Sequence, residues 1–248
     1  MRKKKVLAFV VVAIGVSCSA YLLFSNSNAG ASSLTIAGSE RADARFITSN
    51  EALPLLNDPT FNATDQVIRD YEQAIFEYNR GKKSGDTARL PNDADIENMI
   101  SKYTTQTFDF QKYTEKDIKI SKSSSLGELT TYLEKVKNEN DEAKRTAPSN
   151  IVSAIGLFVS EKNAEEVGKH ISAQSEFINA LLSMPVVPEW KAFHLQLLNN
   201  AEEKRFLLKV IFENQEDPIK VVSAVKNIES ALIKEDTIWK AALETLKK

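Results

Sequence analysis

The chain has 248 residues, 42% apolar, 27% charged and 8% aromatic, and a formal net charge of −2. Only 8 Gly and 7 Pro exclude collagen-like, linker-like and turn-rich all-β chains, and a single Cys excludes a disulfide framework or a multi-cysteine metal site. Arg2, Lys3, Lys4 and Lys5 are the only charges in residues 1–30, so the other 218 residues carry 28 basic and 34 acidic side chains, a net of −6 with no basic footprint for nucleic acid.

Residues 1–5 form a basic flank. Val6–Phe24, VLAFVVVAIGVSCSAYLLF, then runs 19 residues without a charge. As a helix it would reach about 28 Å, close to the ~30 Å hydrocarbon core of a bilayer. Basic flanks stay cytoplasmic, so the pattern predicts a single-pass helix in the lipid bilayer, with the N-terminus inside and everything after Phe24 outside. Three readings compete for this segment. It is long for the h-region of a cleavable signal peptide, yet Ala29-Gly30-Ala31 has the small-x-small form of a cleavage site. Lipidation at Cys18 is the third reading. It lacks a Leu-like residue three places before the Cys, and Tyr21-Leu22-Leu23-Phe24 is apolar where a mature lipoprotein is polar. No later stretch is long enough to span.

Residues 25–62 read as a tether, small and polar at first and broken at its end by Pro54 and Pro59. Asn62-Ala63-Thr64 matches a glycosylation sequon. Residues 63–248 read as an exported helical domain. Val67, Ile68, Tyr71, Ile75 and Tyr78 make one helical stripe stopped by Gly81. A polar connector leads to a short helix near Asp93–Tyr103, and Ile118-Lys119-Ile120 suits a brief extended piece. Ser125-x-x-Glu128 fits a capping box, opening a helix striped by Leu126, Leu129, Leu133 and Val136. Charged Asn138–Ser149, ending after Pro148, reads as a loop. Helices follow near Asn150–Ser160 and Asn163–Ser183.

Met184-Pro-Val-Val-Pro188 is a stiff break, with Pro188 in the first turn of a helix reaching about Phe212. Asp217-Pro218 restarts the chain, Asp as N-cap and Pro at the first helical position. Positions 221, 225, 228, 232, 235, 239, 242 and 246 then alternate four-three and are apolar except Glu235. That is the seam of a helix packed lengthwise, either inside a bundle or in a homo-oligomer. The fold expected is all-α: a transmembrane helix, a tether and an irregular multi-helix bundle.

Catalytic signatures do not emerge. His170 shares a helix face with Glu166, and His194 follows Phe193, but neither histidine has a second one at ligand spacing. There is no Gly-rich phosphate loop and no GxSxG elbow, so no cofactor, metal or catalytic residue is expected. Asn199-Asn200 beside an apolar stripe must find hydrogen-bond partners, most simply as a polar link between helices. Trp190, His194, Asn199 and Trp239 are the candidates for contact with a ligand or partner.

Two stretches carry a family likeness. One is Tyr113–Ile120 with Ser125, Glu128 and Tyr132. The other is Met184–Pro188 with Trp190, His194, Leu197-Leu198-Asn199, Asp217-Pro218 and Ala224. Over residues 54–246 the chain resembles an uncharacterised family of N-terminally anchored helical proteins from ultrasmall, Patescibacteria-like candidate-phylum bacteria. The resemblance implies a bacterial origin, in which the Asn62 sequon has no role, and it assigns no functional residue. The function expected is non-enzymatic: binding other envelope proteins, in a surface or secretion apparatus. The alternative is a helical domain that senses or binds a solute.

Overall fold

The computed structural model describes residues 56–83, 86–122 and 126–245. The basic flank, Val6–Phe24, Cys18, most of the tether and Ser125 lie outside them. The described residues belong to one unit, Leu55–Lys248. They are 74% helical and 2% strand, in keeping with the all-α expectation for this part of the chain. Among them no helix is long and apolar enough to cross a membrane.

Packing begins before the first helix. Leu56 is fully buried, and the Asn57 side chain grips the backbone of Asp109, accepting from its N–H and donating to its C=O. Residues 56–62 therefore join the packed body, although their composition reads as tether. Helix α1, Ala63–Asn79, starts where the Asn62 side chain accepts from the Asp65 N–H at 2.9 Å. The sequon asparagine is thus a helix cap. Past the helix, Gly81 takes φ 85°, a left-handed turn that costs glycine nothing. Helix α2, Asp93–Thr104, opens with a reciprocal box between Asn92 and Asp95.

Residues 106–114 form an extended strap over the bundle, fastened in part by aromatic contacts, and end in a 3₁₀ turn, Glu115–Asp117. Phe108 and Phe110 lie 6.1 and 6.4 Å from the Phe206 ring. Strand β1, Lys119–Ile120, pairs in parallel with β2, Pro185–Val186. The extended reading of Ile118–Ile120 and the break at Met184–Pro188 are therefore two sides of one short ladder.

Helix α3, Leu126–Thr146, corrects the loop reading of Asn138–Ser149. Its charges form ion pairs one turn apart, Lys137–Asp141 and Arg145–Glu142, on the solvent side. Buried Val136, Ala143 and Ala147 carry the inner stripe onward. Alanines extend a core-facing line without the bulk that marks one in sequence. Helix α4, Ile151–Glu161, is capped by Asn150, and α5 spans Glu165–Ser183.

Pro188 falls in a 3₁₀ turn, Pro188–Trp190, and the helix proper, α6, runs Lys191–Glu213. The last helix, α7, is Pro218–Thr245. Central α6 lies between α5 and α7, with α3 packed on α5 and α2 on α7. Fully buried Leu197, Leu198, Leu207, Leu208 and Ile211 make α6 the core. Contacts climb α6 as they descend α7, Phe193 with Trp239 and Asn200 with Ala231, so the two helices are antiparallel.

On α7 the buried line is Ile219, Ser223, Ala224, Ile228, Ala231, Ile238 and Ala242. The four-three seam expected from sequence overlaps it at Ile228 and Ala242, while Val221, Val225, Leu232 and Trp239 are half-buried on its flank.

The start of α7 is tied to the start of α1. Asp217, buried, caps its own helix by accepting from the Lys220 N–H at 3.1 Å. The same carboxylate accepts from the N–H groups of Ala63 and Thr64 and from the Thr64 hydroxyl. The Thr64 oxygen in turn accepts from the Ile219 N–H at 3.1 Å. One acid and one hydroxyl thus satisfy orphan donors of two helix ends.

Candidate functional site

The four candidate residues all come from the turn before α6, from α6 itself and from α7. The 3₁₀ turn after Val187 delivers Trp190 into the core, 5% exposed, and one further turn of α6 buries His194 completely. Phe193 stands edge-on between two indoles, 5.5 Å from Trp190 and 5.3 Å from Trp239. Such edge-to-face geometry matches the positive rim of one ring to the negative face of the next.

Tyr132 of α3 reaches into this cluster. Its hydroxyl lies 2.6 Å from Nδ1 of His194. Desolvation holds the imidazole down at about 4, so it is neutral at pH 7, and the same burial pushes the phenol up. The contact joins a neutral imidazole to a protonated phenol, and either the phenol O–H or the Nδ1–H of the imidazole can be its donor. Neither His194 Nε2 nor Trp190 Nε1 meets a protein hydrogen-bond partner. Trp190, His194 and Trp239 are thus brought together.

Asn199 turns to the strap instead. Its Oδ1 accepts from the Tyr113 N–H at 2.7 Å, and its Nδ2 donates to the Tyr113 C=O at 3.0 Å. The amide stands in for a neighbouring strand. The expected polar link exists, but it joins a helix to an extended segment. The link between helices is made by Asn200, whose Nδ2 donates to the Ala231 C=O at 2.8 Å. Asn199→Asp would set a carboxylate oxygen against the Tyr113 carbonyl. It is expected to cost about 2 kcal/mol, read as a lower urea midpoint with an unchanged slope; an unchanged midpoint would show that the Asn199–Tyr113 link does not hold the strap.

His170 is also interior, with its Nε2 3.2 Å from the Ser149 hydroxyl, and burial lowers its pKa. Glu166 lies close enough to act on it electrostatically, as their four-residue spacing implies. Among the described residues no cluster of three or more His, Cys, Asp or Glu is arranged to hold a metal. A groove of about 280 Å³ lies elsewhere, lined by Pro59–Asn62, Glu213, Asn214, Glu216 and Asp217. Its best-placed polar groups, Asn62 and Asp217, are already helix caps.

Sequence reasoning missed Tyr132 as the partner of His194, and the ion pair of Lys204 with Glu235 at 2.7 Å, nearly shut off from water. Glu235 carried the signal: a lone acid on an apolar seam needs a cation from the neighbouring helix. Compared with known protein-family models, curated proteins and solved structures, the chain matches none.

Proposed function

We propose that this chain is a bacterial envelope protein, held in the cytoplasmic membrane by Val6–Phe24, with its helical body outside, acting by binding other proteins in a surface or secretion apparatus. The observation that carries the reading is the 19-residue uncharged run directly behind Arg2–Lys5. Interaction rather than chemistry is favoured because the polar side chains best suited to a site are engaged in folding. Asn199 is committed to Tyr113, and the Nδ1 of His194 to Tyr132. Exposed Leu243, one turn beyond half-buried Trp239 and in line with half-buried Val225 and Leu232, supplies an apolar contact strip on α7, for another envelope protein or a second copy. A second reading, solute binding near Trp190, His194, Asn199 and Trp239, draws support from the two ring nitrogens without protein partners.

A charge at the centre of a membrane helix costs about 2.5–3.5 kcal/mol on insertion scales. Val12→Arg is therefore expected to move most of the protein from the membrane to the soluble fraction, and external protease to reach residues 63–248 once outer layers are opened. Unchanged membrane recovery of Val12→Arg would overturn the anchor. A pull-down in mild detergent that recovers neither a partner nor a second copy would overturn the binding role.

A further inference from the structure

Every polar atom in a packed core needs a partner, and the aromatic cluster around α6 holds two that find none in the protein. His194 is fully buried and Trp190 is 5% exposed. The indole nitrogen of Trp190 is always a donor. The imidazole has two neutral forms, and the Tyr132 hydroxyl decides between them. With its proton on Nε2, Nδ1 accepts from the phenol and one donor remains unmatched. With its proton on Nδ1, the phenol O–H and the Nε2 lone pair are both unmatched. The first arrangement leaves fewer orphans in a medium where each is costly. Two N–H donors then remain, four residues apart where the 3₁₀ turn Pro188–Trp190 runs into α6. Both lie within the cluster of Tyr132, Phe193 and Trp239.

We propose that Trp190 Nε1–H and His194 Nε2–H donate to one internal water, which makes this cluster a hydration site built for a hydrogen-bond acceptor. Water has two lone pairs and is the smallest molecule able to take both bonds, and buried water commonly completes such otherwise unsatisfied groups. The oxygen accepts both bonds, and its own protons point into the aromatic faces around it. The water gives both ring nitrogens an acceptor without any bound solute, and leaves its own two protons to the weaker attraction of the ring faces.

The test is proton transfer of magnetisation from water to nitrogen-bound protons, recorded on the full chain labelled with ¹⁵N and deuterated on carbon. The indole region contains two signals, Trp190 and Trp239, and Trp239→Phe assigns them. The expected result is a water cross-peak at the Trp190 indole proton, with the sign of a long-lived bound water, that disappears in His194→Phe. The ¹⁵N shifts of His194 are expected to show a protonated Nε2 at pH 7, a measurement that needs no variant to fold. A Trp190 signal with no water cross-peak overturns the proposal. So does a cross-peak that survives unchanged in a folded His194→Phe protein, or a His194 protonated on Nδ1.

Discussion

Between pH 6.5 and about 4 the bundle is expected to lose about 3 kcal/mol of stability through His194 alone. The sign follows from burial. The folded-state pKa lies below the ordinary value, so the unfolded chain binds the proton more readily. Above 6.5 both states are neutral at this site and stability is flat. Below it the unfolded state gains a proton first, and the loss grows until the folded imidazole also titrates. His170, lowered by burial as well, adds a loss of the same sign. Asp58 and Asp117, held low by bonds from Thr60 and Thr114, add theirs only at more acid pH. Urea unfolding at half-unit pH steps would show the slope. His194→Phe should flatten it between pH 6.5 and 4 while the His170→Gln control keeps most of it. Equal slopes for wild type and His194→Phe would refute the assignment.

Asp217→Ala is the second large effect, because one carboxylate serves two helix ends. The substitution strips an acceptor from the N–H groups of Ala63, Thr64 and Lys220 and from the Thr64 hydroxyl, all at a buried site. Charge-assisted bonds of this kind contribute roughly 1.5–3 kcal/mol each, and losses within one cluster are not additive. A total near 4 kcal/mol is a fair central value. At roughly 2–4 °C per kcal/mol for a body of this size, Tm should fall by about 10 °C. Asp217→Asn keeps one oxygen but turns an amide toward the Ala63 N–H, so it should fall between the two. Thermal melts followed by helical circular dichroism would read both. A shift under about 2 °C for the alanine variant would show that α1 and α7 do not depend on this acid.

Most helix positions were legible because they rest on local chemistry. Asp217-Pro218 announces a start through a side-chain acceptor and a ring that needs no donor. Met184–Pro188 announces a break because proline cannot continue a helix. Failures came where the structure depends on what lies opposite. The second half of α3 hid because its inner face is alanine and its outer face is charge. On α7 the four-three spacing marks Ile228 and Ala242 of the buried line and misses Ser223, Ala224 and Ala231, which are too small or polar to stand out in sequence. In the candidate site, the nearness of Trp190 to His194 is written in their spacing. Tyr132, 62 residues earlier in the chain, is placed by tertiary packing, as is the grip of Asn199 on Tyr113. A sequence states that an amide needs partners and is silent on which backbone will supply them.

The junction of Thr64 with Asp217 also sets a clock. The two residues are 153 positions apart. At roughly 5–20 residues per second, the ribosome makes Asp217 about 8–30 s after Thr64. Throughout that interval the first helix has no acid to complete its opening turn, and its half-buried stripe has no α7 to cover it. Helix α7 closes α1, so a chain still emerging, whether from a ribosome or through a membrane, carries an unfinished α1 until Asp217 and the helix behind it have passed.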